Sequence, residues 1–386
     1  LEEYAAILWR YGSLFSGAAV ETEDLEALAE LDGVAGVRPV RSYAPAGSGG
    51  RGEGLSSGSA LALMGAEGLR EKGWTGDGTV IAVLDSGLNT GHEVFSDASL
   101  VRSPAISRED TAAFAARGRT AGRYVSARIP FVYDYYSRDT DVSTREGHGT
   151  HVAALAAGYS GEGSAAFQGA APGAQILGMK IFPDNAGGGT DDAVILRALE
   201  DAWNLGADVV NISVGTGAGF CRDGLLDGLY SQAFARMAED SVIICCSAGN
   251  DGTNAVYKSW TQPLPTGGYT DYGAVTAPAS YRGAVAVAAS TPSGEMAGYS
   301  AWGPASELHL APSLTAFGGP VLSAGASDER GYYSDYGTSM ASGSASGLFA
   351  VLLQSLRERG VSDRAEAARL ARGLLESTAR VLTDER

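Results

Sequence analysis

The run Thr79-Val80-Ile81-Ala82-Val83-Leu84-Asp85-Ser86-Gly87 decides how this chain is read. From Val80 to Leu84 no polar residue breaks the run. It lacks the alternation of a half-exposed strand and reads as one covered on both faces, ending in an Asp-Ser-Gly turn. Four similar runs follow: Ala174 to Met179, Asp208 to Ser213, Val242 to Cys245 and Ala284 to Ala288. Helical patterns lie between them at 148–158, 191–205, 225–239 and 340–357. Apolar strands alternating with helices predict the α/β class, with a mostly parallel central sheet and helices on both faces.

Outward from this core the pattern changes twice. Residues 1–45 read as a small α+β unit. Its acidic stretch Glu21 to Asp24 opens a helix over Leu25–Leu31, and Val34, Val37 and Val40 predict a strand. Residues 46–60 are mostly Gly and Ser and read as a linker, which leaves 61–386 for the α/β domain. Within it, residues 97–145 are rich in Arg, Asp and Tyr and read as a surface insertion. Tyr133, Tyr135 and Tyr136 around Asp134 read as a partly buried strand. No internal repeat is evident.

With 386 residues and 45% hydrophobic residues, the chain can bury a large core. The net charge of -17 works against binding a phosphate backbone, so no nucleic-acid partner is expected. No apolar run reaches about 18 residues, so no transmembrane segment is expected in this sequence. No signal peptide is visible, and a chain opening on Leu1 reads as a processed form or a fragment. Three cysteines make no disulfide framework, and Cys245 and Cys246 read as buried strand thiols.

Chemistry in such sheets gathers at the carboxyl ends of strands. Four Gly-flanked turns fall at such positions: Asp85 after its strand, His148 opening a helix in Gly147-His148-Gly149-Thr150-His151, Asn250 closing Ser247-Ala248-Gly249-Asn250, and Ser339 in Gly337-Thr338-Ser339-Met340-Ala341. Each alone is ordinary: an Asp or Ser that caps a helix, an Asn in a turn, a structural His. Together, an acid, an imidazole and a hydroxyl form the set that activates a serine nucleophile.

These motifs resemble those of subtilisin-like serine proteases, whose Asp, His and Ser follow the same chain order. The resemblance runs from about Leu61 to the C-terminus. It is nearest to the bacterial cell-envelope proteinases of lactocepin and streptococcal complement-peptidase type, on Ile129–Tyr135, Thr190–Ile195 and Ser300–Pro304. It implies a subtilisin-like three-layer fold preceded by part of a propeptide, since residues 13–45 resemble the end of an inhibitor-type propeptide. It also implies a serine endopeptidase acting on extracellular proteins, secreted or held at the cell envelope. Asp85, His148 and Ser339 would be its triad and Asn250 its oxyanion donor. Gly187 and Gly188 on one edge, and Ser213, Val214, Gly215, Ser247, Ala248 and Gly249 on the other, would bind substrate. The expected partners are protein or peptide substrates and the chain's own propeptide, whose tail at Val40–Ala44 would run through the cleft.

Two departures stand out. Gly343 replaces a proline usual in the family, which should cost rigidity, about 1 kcal/mol. The interval from Asn250 to Ser339 is too short for the insert that many envelope relatives carry. No cofactor is needed for the chemistry. A structural calcium ion would fit the family, but the loop Tyr159–Ala165 offers one carboxylate and no ligand set can be assigned. His151, a helical neighbour of His148, reads as structural, and His92 and His309 as surface or turn residues. An inactive binding scaffold is the competing reading. A complete set of Asp85, His148, Ser339 and Asn250 speaks against it. An unprocessed zymogen is a third state.

Overall fold

The structure is a computed structural model that describes residues 5–45, 54–161, 167–184, 188–216, 224–252, 273–305 and 309–382. It opens with an antiparallel pair, β1 (Ala6–Tyr11) and β2 (Gly17–Glu21), and a short helix α1 (Leu25–Ala29) capped by Asp24. The strand predicted over Val34–Val40 is absent. The chain there is irregular and largely exposed, and strand β3 forms later, at Ser42–Pro45. Helix α2 (Ser57–Leu63) starts inside the stretch read as linker, because Ser56 accepts the Ser59 N–H and caps it.

The core run becomes β4 (Val80–Asp85), buried along its whole length. Helix α3 (Arg108–Ala116) is followed by β5 (Phe131–Asp134), the strand read around Asp134. The segment 97–145 is therefore not only surface: β5 joins the main sheet, and Ile106, Phe114, Phe131 and Tyr135 are buried. Then come α4 (His148–Ala157), the short pair β6 (Tyr159–Ser160) and β7 (Phe167–Gln168), and β8 (Gln175–Lys180). Next are β9 (Thr190–Asp191), α5 (Asp192–Asn204), β10 (Val209–Ile212) and β11 (Val214–Gly215). After α6 (Gly224–Glu239) follow β12 (Ile243–Ser247), β13 (Ala284–Ser290), β14 (Leu314–Phe317), and the pair β15 (Val321–Ala324) and β16 (Tyr332–Asp335). Two helices close the described chain, α7 (Thr338–Glu358) and α8 (Arg364–Thr378).

Seven strands form one sheet in the order β14-β13-β12-β10-β4-β8-β5, and every neighbouring pair is parallel. Successive residues of a strand face opposite sides, so the sheet divides the core in two. Ile81, Val83, Val209 and Cys245 pack against α4 and α7, while Val80, Ala82, Val210 and Cys246 pack toward α5 and α6. The adjacent thiols thus lie in different cores, both fully buried and free, as the strand reading required. Cys221 lies outside the described residues. A fully parallel sheet also places the ends of β4, β10 and β12 on one edge, where the candidate site forms.

The N-terminal unit docks on α5. Glu200, fully buried, accepts the backbone N–H of Gly12 at 2.9 Å and Leu14 at 3.2 Å, and that of Ser13. Tyr11 donates its hydroxyl to Ala193 O at 2.8 Å. Beyond that dock, β3 lies between β9 and β11 as the central strand of a three-stranded antiparallel sheet.

Candidate active site

Asp85 is the last residue of β4, and its Oδ1 lies 2.7 Å from Nδ1 of His148, both side chains buried. The Ser86 N–H also donates to that oxygen at 2.6 Å, which holds the carboxylate in place. α4 can begin this close because two glycines permit it. Gly147, its N-cap, has φ of 74°, a left-handed value that side chains disfavour. A Cβ on Gly149 would meet the backbone oxygen of Gly87 and approach Asp85 Cβ to 3.0 Å. A carboxylate accepts only, so Nδ1 carries the proton and Nε2 offers its lone pair. Among the described residues that Nε2 is buried with no hydrogen-bond partner.

Ser339 sits in the first turn of α7 and is fully buried. Two stripes of equal spacing run from it and from His148. On α7, Ser339, Gly343 and Gly347 recur every four residues; on α4, His148, Val152 and Ala156 do the same, and such residues share a helix face. A Cβ on Gly343 would lie 2.9 Å from Val152 O, and one on Gly347 would overlap Ala156 O. The helices therefore touch through backbone along these stripes, and His148 and Ser339 head them. Gly343 thus sits where the two helices pack closely.

Asn250 follows β12. The Thr338 N–H and hydroxyl both donate to its Oδ1, each at 2.9 Å, which turns the amide nitrogen away from Thr338. Thr338 Oγ1 in turn accepts the Gly249 N–H at 3.2 Å. A buried amide ties α7 to β10 as well. Asn211 Oδ1 accepts from Ser342 at 2.7 Å and Ser346 at 3.1 Å, while its nitrogen donates to Ser213 at 2.8 Å. Asn211 and Thr338 carry no motif of their own; only their places within the β10 run and beside Ser339 mark them.

Burial opposes a charge on His148, but Asp85 outweighs it, with Asp335 and Glu146 adding to the effect, so the imidazole pKa is raised above 6.5. His151 behaves oppositely. Fully buried, with Nε2 3.2 Å from Val321 O, it is pushed down to about 3 by burial and by His148, so it stays neutral and structural. His92 is a turn residue, capping a short helical turn through the Val94 N–H, but it is fully buried and not on the surface.

Of the expected substrate wall, Ser213 and Val214 are fully buried, as are Ser247 and Ala248. Ser247 Oγ reaches Val214 O at 3.4 Å, so the two segments adjoin. β3 pairs with both edges: Pro45 with Val214, Ala44 with Gly215, Tyr43 with Thr190 and Ser42 with Asp191. Gly188 precedes β9, and a Cβ on Gly189 would lie 2.8 Å from Tyr43 O; Gly187 lies outside the described residues. Among the described residues no three His, Cys, Asp or Glu side chains gather as metal ligands. Residues 162–165 of the loop weighed for calcium lie outside the description. No helix among the described residues is long and apolar enough to cross a membrane.

Residues 76–386 match the model of the Subtilase family. The C5a peptidase of Streptococcus pyogenes serotype M6 is 34% identical over 229 residues, 58% of this chain and 19% of that protein. The PIII-type proteinase of Lactococcus lactis subsp. cremoris (strain SK11) is 32% identical over 228 residues, 56% of this chain and 11% of that protein. The match thus spans a small part of these relatives. A solved structure described as a cold adapted subtilisin-like serine proteinase superposes with a TM-score of 0.54 and 26% identity, over 79% of this chain and 84% of that one.

Proposed function

We propose that this chain, which belongs to the subtilase family, is a serine endopeptidase that cleaves proteins outside the cell through Ser339. The observation that carries the reading is the buried Asp85–His148 pair, 2.7 Å apart, on the helix whose glycine-matched stripe faces Ser339. His148 Nε2 takes the Ser339 hydroxyl proton as Oγ attacks the peptide carbonyl. The protonated imidazole, held by Asp85, then gives that proton to the leaving amine. Water then loses a proton to the same nitrogen as it attacks the acyl carbon, and that proton returns to Ser339 Oγ as the ester bond breaks. The Asn250 amide and the Ser339 N–H stabilise the negative oxygen of the tetrahedral intermediate, and Thr338 fixes the amide that does so. Substrate lies as an extended strand between β9 and β11, the position β3 takes.

Residues 1–45 act in this reading as the end of an inhibitor-type propeptide. β3 fills the groove, and self-cleavage falls between about Val40 and Gly58. The relatives named as proteinases of Gram-positive bacteria support placement outside the cell or at its envelope. A fluorophosphonate probe tests the nucleophile. It should label the processed chain and leave Ser339→Ala unlabelled and still carrying its N-terminal unit by N-terminal sequencing. Equal labelling of both would refute the assignment.

A further inference from the structure

β3 shows in detail what the groove holds. Arg41 and Tyr43 are two residues apart on extended chain, so their side chains leave on the same side. Both converge on one buried carboxylate, Asp192, at 1% exposure. The Tyr43 hydroxyl donates to Asp192 Oδ1 at 2.6 Å. Oδ2 accepts the Arg41 backbone N–H at 2.7 Å and its Nε at 3.3 Å. The Arg41 guanidinium stands 5.8 Å from the ring centroids of both Tyr230 and Tyr281, which stack at 4.9 Å. Burial and the nearby carboxylate raise the Tyr43 pKa well above 10.0, so the phenol keeps its proton and remains a donor.

Asp192 is not occupied by its own helix. Asp191, the residue before it, is the N-cap of α5 and accepts the Val194 N–H at 3.0 Å. The side chain of Asp192 is given over to β3. When β3 leaves, this carboxylate opens onto the emptied groove, where a substrate carrying the same donors in the same places can take them up.

We propose that Asp192, with Tyr230 and Tyr281, forms a specificity subsite that selects substrates bearing an Arg-x-Tyr sequence on the amino side of the cleaved bond. This rests on the reading of the β9/β11 groove as the peptide-binding cleft. The tyrosine is read by its hydroxyl and the arginine by its charge. A phosphorylated tyrosine is rejected, because its dianion would face the carboxylate. A site built to hydrogen-bond a hydroxyl discriminates strongly against the analogue lacking it.

The test compares fluorogenic peptides carrying Arg-Ser-Tyr-Ala-Pro-Ala-Gly, the chain's own residues 41–47, with versions holding Phe for the tyrosine or Ala for the arginine. On processed enzyme the Phe peptide should lose roughly 10–100-fold in kcat/KM, the range of a hydrogen bond to a charged acceptor. Asp192→Asn should shrink that ratio. Equal rates for the Tyr and Phe peptides on the wild-type enzyme overturn the subsite, with no variant required to fold. Should no peptide be cleaved and no probe label Ser339, the nucleophile is the failed reading, and the subsite is judged by amide exchange. In the full chain carrying Ser339→Ala, adding Tyr43→Phe should speed exchange of the Ser42, Tyr43 and Ala44 amides roughly tenfold or more. Unchanged exchange overturns the subsite independently of any catalysis.

Discussion

Gly343→Ala offers the sharpest test of how α4 and α7 set the candidate site. The new Cβ would stand 2.9 Å from Val152 O and 3.0 Å from Val152 Cγ1, where ordinary contact begins near 3.4 Å. The carbonyl belongs to the backbone of a buried helix and cannot swing aside. Relief therefore requires the helices to part by about 0.5 Å, one turn below Ser339. A misplacement of about 1 Å can cost about 100-fold, so half of that predicts roughly a tenfold fall in kcat. Overpacking costs about 1–3 kcal/mol, and replacing Gly by Ala inside a helix returns about 1 kcal/mol, so net destabilisation should stay within about 0–2 kcal/mol. The loss in the barrier, about 1.4 kcal/mol for a tenfold fall, is thus of the same size as the loss in stability. Gly373→Ala in α8 is the control, because its Cβ meets nothing within 4 Å. It should gain about 0.5–1 kcal/mol in denaturant melts and leave peptide hydrolysis alone. If Gly343→Ala behaves like the control, with full kcat and a raised midpoint, the stripe argument is wrong.

Asn250→Ala should lower kcat by about 100–1,000-fold with little change in KM, the magnitude that loss of an oxyanion donor has in subtilisin. An effect confined to KM would make Asn250 a positioning group for substrate. The acidic limb of kcat/KM should sit above pH 6.5, because the raised His148 pKa keeps the imidazole protonated and unable to act as base below it. Asp335→Asn removes one of the charges that raise it, so the limb should move to lower pH; no movement would show that Asp335 is not sensed. Stability runs in the other sense. The contribution of charged His148 is fully present below about pH 6.5 and fades as pH rises through the raised value, so the catalytically competent form forgoes it.

The sheet was legible because a strand buried on both faces must be apolar throughout, and Val80–Leu84 carries that mark unaided. The turns at Asp85, His148, Asn250 and Ser339 were legible because their flanking glycines answer to close approaches, as at Gly149. The valines at 34, 37 and 40 misled. Their spacing is not a strand period, none of them is fully buried, and the strand formed at Ser42–Pro45, where β9 and β11 supply partners that no local pattern announces. For the same reason 97–145 looked like surface, since a four-residue edge strand earns its place by pairing with β8. Asp192 was invisible as a recognition group. An acid at a helix start ordinarily serves that helix, and only the contacts of Tyr43 and Arg41 show it serving another strand.

The opposed cysteines of β12 have a kinetic consequence. Cys245 is pushed up to about 12 and Cys246 well above 9.0 by burial, so neither thiolate is populated while the fold is intact. Each lies under a different layer of helices, so the lifting of one helix alone does not expose both. A reagent that modifies Cys245 reports opening on the α4/α7 side, and one that modifies Cys246 reports opening toward α5 and α6. If the two are modified at one common rate, the layers unfold as one event; two rates would resolve the order in which they let go.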